Sequence, residues 1–340
     1  MRNALSYVAD AARYDRPELY ARCGRSGILL PRISLGLWKN FGADRPLSDS
    51  RALLHYAFDH GITHFDLANN YGPPYGTAEE TFGQVIRSSF APYRDELFVA
   101  TKAGYDMWPG PYGNWGSRKY LMASLDQSLR RMGLEYVDLF YIHRYDPQTP
   151  LEETLQALVD VVRAGKALYV GISRWPLAAT QTAFRYLRER DVPCLCYQGR
   201  LNLLDRALET EGILDLLEKE QCGGVVFSPL AQGLLTERYL EGIPDDSRMR
   251  REATLKPEQL TPDLLNRLHA LKQLASARGE TLAQLALRWV FTHRAVTSVI
   301  VGASSVAQLA ENLKMLEGSP LCGEELERIE AVMKSGGQTL

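Results

Sequence analysis

Short apolar runs alternate with stretches of helical period along nearly the whole chain. Runs beginning near Ile33, Thr63, Leu97, Val137, Leu168, Leu195, Val225 and Ser298 read as strands, and the spacing between them predicts helices over 49–59, 77–88, 118–132, 151–163, 177–190, 212–220, 262–277, 281–292 and 305–316. The punctuation agrees. His60-Gly61, Gly133 and Gly165 stop helices, while Thr77 reads as a cap with Glu79 and Glu80 in the first turn behind it. Several strand runs are almost continuously apolar, as parallel strands buried on both faces are. Repeating βα units require right-handed crossovers, and eight of them suggest closure into a (β/α)8 TIM barrel. An open doubly wound sheet is the alternative. No GxGxxG follows the first run, which counts against a dinucleotide-binding sheet of that kind.

Three stretches exceed a minimal barrel. Residues 24–30 read as part of an N-terminal β-hairpin plugging the barrel floor, and 105–116 and 232–260 as long loops at the C-terminal mouth, where such barrels do their chemistry. Residues 322–334 read as an extra C-terminal helix packed outside. The length of 340 residues suits a single barrel domain over 1–340, with its core at about 20–334.

Composition narrows the function. With 45% hydrophobic and 24% charged residues the chain is an ordinary globular protein, and a formal net charge of −2 gives no reason to expect nucleic acid or an anionic membrane as partner. Residues 1–17 lack the apolar core of a signal peptide, and no run approaches the ~20 apolar residues of a membrane span, so a cytoplasmic protein without membrane insertion is expected. The five cysteines, Cys23, Cys194, Cys196, Cys222 and Cys322, are odd in number and contain no CxxC. They read as reduced, buried, inert thiols, with Cys194 and Cys196 on one strand face. His60 and His64 have the spacing of a helical metal pair, but Gly61 breaks the helix and no metal site is expected. No GxSxG is present to form a nucleophile elbow.

The chemistry gathers at three consecutive strand ends. Asp66 and Tyr71 follow the second predicted strand, Lys102 closes the third and His143 the fourth. Singly, each has a plain alternative: a helix cap, a loop aromatic, a solvated strand end, a structural histidine. Together they offer a proton-donating site. An ammonium ~4 Å from a phenol, at an effective dielectric of ~20, favours the phenolate by about 4 kcal/mol, roughly three pKa units before burial pushes back. Asp66 would keep that amine protonated, and His143 would orient a carbonyl.

The stretches Phe65-Asp66-Leu67-Ala68-Asn69-Asn70-Tyr71-Gly72, Ala100-Thr101-Lys102 and Tyr141-Ile142-His143-Arg144 resemble the active-site motifs of the aldo-keto reductases. The resemblance spans about 20–334 and is closest to the branch of the bacterial L-glyceraldehyde 3-phosphate reductases and the β-subunits of voltage-gated potassium channels. It implies a (β/α)8 barrel that reduces carbonyls with NADP(H), Asp66, Tyr71, Lys102 and His143 being catalytic. It further implies that Trp38, Asp66, Ser173, Arg174 and Gln198 meet the nicotinamide end of the cofactor, with Phe227 stacked on the ring. Ser228, Pro229, Leu230, Ala231, Gln232 and Gly233 would wrap the pyrophosphate, and Arg238 and Arg248 would belong to a closing segment. Gly302, Ser304, Gln308, Glu311 and Asn312 would hold the adenosine. From residue types alone, 302–312 reads as an ordinary capped helix and Phe227 as a core aromatic; only the resemblance reverses those readings. A helix N-terminus there favours a 2′-phosphate and hence NADP over NAD.

Two departures stand out: Ser305 replaces a basic residue and Leu201 an aromatic. Trp38, Tyr71, Trp108, Trp115, His143 and Arg144 are expected to frame the substrate pocket, with Arg144 or Arg118 meeting a substrate phosphate. Small aldehydes such as L-glyceraldehyde 3-phosphate or methylglyoxal are the expected substrates, and a homo-tetramer or octamer the expected assembly. The rival reading is a cofactor-sensing regulatory subunit like the channel β-subunits. A structural barrel without cofactor is a third.

Overall fold

The computed structural model describes residues 7–245, 247–251 and 254–334. Strands β1 (Tyr20–Arg22) and β2 (Leu29–Pro31) pair antiparallel as a hairpin. The other eight are β3 (Ile33–Gly36), β4 (His64–Asp66), β5 (Phe98–Ala103), β6 (Val137–Ile142), β7 (Ala167–Ser173), β8 (Cys194–Arg200), β9 (Gly223–Phe227) and β10 (Val296–Val301). All are parallel and close into a barrel in chain order, with β10 returning to β3. These are the eight apolar runs of the sequence.

Helices wrap the barrel where the 3.6-residue period places them. Arg118–Met132 ends on Gly133 in the left-handed conformation (φ 69°), and Leu151–Arg163 buries Leu155, Leu158, Val159 and Val161 against the strands. Thr77 departs from expectation. Gly76, at φ 92°, occupies the cap position, and the Thr77 hydroxyl instead donates to Pro74 O. The helix also runs only Thr77–Val85 before widening into a π-helical stretch, Ile86–Phe90.

Two cores result. The outer one, between strands and helices, holds fully buried Phe58, Phe65, Phe82, Tyr120, Trp175 and Trp289. The inner one fills the lumen with Ala100, Leu139, Tyr141, Leu195, Cys196, Val225 and Ile300, closed from below by Cys23 and Leu30 of the hairpin segment. Burying a side chain such as Leu30 contributes roughly 1.5–3 kcal/mol. The hairpin is pinned there. Ser298 Oγ donates to Pro31 O at 2.6 Å, and Arg25 N to Gln221 O at 3.0 Å. At Gly24 (φ 55°) a Cβ would lie 2.0 Å from Gln221 O, so only glycine fits the close approach.

Strand alternation then decides what lies above the apolar plug. Lys102 follows Ala100 by two residues and Gln198 follows Cys196 by two, so both point into the barrel one layer nearer the mouth. The register sets Gly36 beside Asp66, Asp66 beside Ala100, and Ser173 beside Gln198. One expectation fails at β8. Its pairing with β7 skips a residue between Val170–Cys194 and Gly171–Cys196, so Leu195 and Cys196 both join the lumen while Cys194 packs against the outer core. A β-bulge of this kind reverses the face of everything before it. Cys322, also expected to be buried, is exposed.

Candidate active site

Lys102 is fully buried and its Nζ donates to Asp66 Oδ2 at 2.6 Å and to Leu67 O at 2.7 Å. Gln198 Nε2 donates to the other oxygen, Asp66 Oδ1, at 2.9 Å. Asp66 is therefore no helix cap, and Lys102 no solvated strand end. Tyr71 arrives on the turn after β4, whose backbone is tied down by Asn69 N donating to Lys102 O and Tyr71 N to Ala68 O. Lys102 Nζ lies 4.7 Å from the centroid of the Tyr71 ring. The His143 ring stands edge-on to Tyr71 at 5.7 Å and to Tyr105 at 4.7 Å. Strand ends distant in sequence thus converge on one point.

The electrostatics differ from the sequence expectation. The Tyr71 phenol is pushed well above its ordinary pKa, first by burial, then by the nearby Asp66 carboxylate and Tyr105. The amine is close, but its charge is matched by Asp66, and the phenol faces a nearly neutral pair. Burial also draws Lys102 below the usual ammonium range, against the opposing pull of Asp66. His143 is held well below the usual imidazole value by burial, then by Lys102, Arg174 and Arg144, so it is neutral, and its buried Nδ1 has no hydrogen-bond partner among the described residues.

From this point a cavity of about 850 Å³ runs across the mouth. Trp38, Asp66, Tyr71, His143, Ser173, Arg174, Gln198 and Phe227 line one end, and Gly302, Ser304, Gln308 and Arg238 the other. Ser228, Pro229, Leu230, Gln232 and Gly233 form the wall between. Ser228 (φ 54°), Ala231 (φ 47°) and Gln232 (φ 59°) hold the left-handed conformation that non-glycine residues avoid. Strain of this kind gathers at ligand-binding sites, and here the turn is held by Ala231 N donating to Ser228 O and Gly233 N to Leu230 O. A nicotinamide dinucleotide fits these residues. Among the described residues, the buried Ser173 Oγ and Gln232 Oε1 lack hydrogen-bond partners, as does Asn312 Nδ2 behind the far end. Ser305 Oγ caps the helix Val306–Leu313, accepting from Gln308 N.

Not every expected residue reaches the cavity. Trp108 packs on Tyr120 at 5.1 Å, and Trp115 lies under the Arg144 guanidinium at 3.6 Å. Arg144 is further held by Gly104 O and Asn114 Oδ1, so its charge is occupied behind Tyr105. The loop 105–116 is closed by its own side chains, which is why Trp108, Trp115 and Arg144 are absent from the cavity lining. Arg118 pairs with Asp160 on the barrel exterior. Glu311 accepts from Gln284 Nε2 and Lys314 Nζ, Ala231 packs against the core, and both lie off the lining with Asn312. The side chain of Arg248 lies outside the described residues.

Sequence reading missed Tyr105, Asn70, Lys39 and Arg45, all on the lining. Tyr105 carried a signal, since it stands two residues past the end of β5; Arg45 carried none. It also missed the supports. Asn202 Nδ2 donates to Ser228 O, and buried Glu79 accepts from Thr101 Oγ1 and Arg131 Nε beneath Lys102.

A barrel with a buried Asp–Lys pair and a phenol at its mouth, opening on a dinucleotide-sized cavity, defines a class of oxidoreductase. The sequence profile of the aldo/keto reductase family matches residues 32–334, and the chain belongs to that family, whose members use a nicotinamide dinucleotide. It is 54% identical over 334 residues to the L-glyceraldehyde 3-phosphate reductase of Escherichia coli O157:H7, covering 97% of this chain and 96% of the relative. The protein of the same name from Escherichia coli K12 is 53% identical, with the same coverage. A probable voltage-gated potassium channel subunit beta from Oryza sativa subsp. japonica is 37% identical over 323 residues, covering 93% of this chain and 97% of the relative. Among the described residues no helix is long and apolar enough to cross a membrane.

Proposed function

We propose that this chain is an NADPH-dependent reductase of small aldehydes, L-glyceraldehyde 3-phosphate and methylglyoxal among them. The observation that carries this reading is the buried Lys102–Asp66 pair beneath the Tyr71 ring, at the closed end of the cavity. When bound, the reduced nicotinamide supplies hydride to the carbonyl carbon. Tyr71 donates its proton to the carbonyl oxygen as charge develops there. An alkoxide is a far stronger base than a phenolate, so a phenol whose pKa is raised still donates downhill and arrives loaded with its proton. Lys102, facing the ring, stabilises the phenolate left behind. That is charge present only as the reaction proceeds, so the interaction accelerates the step rather than tightening binding. Neutral His143 donates a ring N–H to the same oxygen and fixes the face presented.

Ser173, Gln198 and Phe227 hold the nicotinamide end and the backbone of 228–233 the pyrophosphate. Arg238 and Arg45, with the helix start at Ser305, favour a 2′-phosphate. Among the cations on the lining, Arg174 supports the phosphorylated substrate. Its Nη1 donates to Tyr105 Oη at 2.9 Å beside His143, and it meets no carboxylate among the described residues. Assembly as a tetramer or octamer and residence in the cytoplasm belong to the same reading, and sedimentation velocity checks the first. The deciding experiment is steady-state turnover with an aldehyde panel, NADPH and NADH side by side. Repeated turnover lost in Tyr71→Phe supports the enzyme. A single slow oxidation of bound cofactor, with aldehyde in excess, supports the sensing role suggested by the channel-subunit relatives.

A further inference from the structure

The mechanism leaves unused a group of thiols at the opposite end of the barrel. Cys23, in the turn of the β1–β2 hairpin, and Cys196, on β8, bring their Sγ atoms to 3.1 Å, with both residues buried. No bond joins them. The position of Cys23 is fixed from several sides: its sulfur rests over Gly223, where an added Cβ would come within 2.2 Å, and it is within 3.5 Å of Leu195 O. The bulge in β8 turns Cys196 into the lumen to meet it. The pair lies next to a cleft. A cleft of about 220 Å³ at the barrel floor is lined by Cys23, Cys194 and Cys222, together with Arg25, whereas Cys196 does not line it. Cys23, 1% exposed, borders the cleft, and the fully buried Cys196 sits behind it.

We propose that Cys23 and Cys196 form a peroxide-responsive dithiol, which oxidises to a disulfide stapling the N-terminal hairpin to the barrel floor. A hydroperoxide entering the cleft is attacked by the Cys23 thiolate. The O–O bond breaks, a hydroxide (or alkoxide) leaves, and Cys23 becomes a sulfenic acid. The Cys196 thiol then attacks that sulfur. The S–S bond forms, the S–O bond breaks, and the Cys196 proton departs with the hydroxyl as water. The two thiols lose two electrons to the peroxide. The sulfurs have about 1 Å to close from their present separation to a bond of ~2.05 Å, which a small shift of the hairpin provides. Reversal needs only an external dithiol. Gln198 lies two residues beyond Cys196 on the same strand face and holds Asp66, so the staple acts on the strand that supports the catalytic pair.

The test uses the full chain with exposed Cys322 replaced by Ser. Treatment with hydrogen peroxide under native conditions is followed by intact mass and a non-reducing peptide map. The expected result is loss of two hydrogens, one linked peptide pair containing Cys23 and Cys196, and full reversal by dithiothreitol. In Cys196→Ser, Cys23 should stop at the sulfenic acid and accept dimedone, which the parent protein should not. A map showing a Cys194–Cys222 link alone overturns the proposal. So does equal dimedone labelling of Cys23 with and without Cys196, or the absence of any link while Cys23 is oxidised further to the sulfinic acid. The peptide map of the parent needs no variant to fold.

Discussion

Replacing Lys102 by Met keeps the length and apolar volume of the side chain and removes its charge. The phenolate that forms on Tyr71 then loses its cation. Taking the 4.7 Å from the ammonium to the ring centroid as the charge separation, with an effective dielectric of ~20, that attraction is about 3.5 kcal/mol, or roughly 400-fold in rate. The same change leaves the Asp66 carboxylate buried with only the Gln198 amide, and breaking such a pair destabilises by about 3–5 kcal/mol. The orphaned carboxyl responds by holding a proton more tightly in the folded than in the unfolded state. The folded protein then binds more protons, so the destabilisation is full at neutral pH and relieved as pH falls through the raised carboxyl pKa. Adding Asp66→Asn should restore much of the stability and only part of the rate, because it removes the stranded anion, which also disfavours the phenolate, without returning the cation. Urea melts near pH 5 and near pH 8 follow the first effect, and single-turnover oxidation of NADPH at saturating aldehyde the second. If Lys102→Met turns over within about threefold of the parent, or the double variant recovers its rate along with its stability, the ammonium does not act on the phenol and the proposed mechanism fails.

Three further outcomes are expected. Tyr71→Phe should lose about 10²–10⁴ in kcat with NADPH binding, read by tryptophan quenching, unchanged. Its melting point should barely move, because the lost hydroxyl has no hydrogen bond among the described residues. Arg174→Met should raise KM for glyceraldehyde 3-phosphate about 10–100-fold, as loss of a charge-assisted hydrogen bond does, and leave KM for unphosphorylated glyceraldehyde alone; Arg144→Met should not discriminate between them. His64, buried with its pKa pulled down to about 4, binds protons more weakly folded than unfolded, so it costs stability progressively as pH falls from ~6.5 toward that value. The full effect is on the order of 3 kcal/mol, and chemical melts of His64→Gln across that range should show a shallower acid limb.

What could be read from the sequence follows from how a barrel maps order onto space. In a closed parallel barrel, consecutive strands are neighbours and their C-terminal ends share one rim. Residues as far apart in the chain as Asp66, Lys102 and His143 were therefore placed together by counting strands alone. The same rule has no hold on a loop's interior. Trp108 and Trp115 sit at the expected rim, yet Tyr120 and Arg144 draw them away from the cavity. Nor does strand periodicity survive a bulge, which is why Cys194 and Cys196 part company and why the Cys23–Cys196 contact had no signature in the sequence. The acidity of Tyr71 was misjudged for a third reason. Counting a lysine near a tyrosine supplies one charge, but the hydrogen bond that aims Asp66 at the same lysine cancels most of its field at the phenol in the resting site. Charge compensation depends on ångström-scale geometry that residue types do not encode. It also explains how the site keeps its proton until it is needed. Buried and facing that compensated pair, Tyr71 holds its proton until the proposed reaction forms a far stronger base, the alkoxide, beside it.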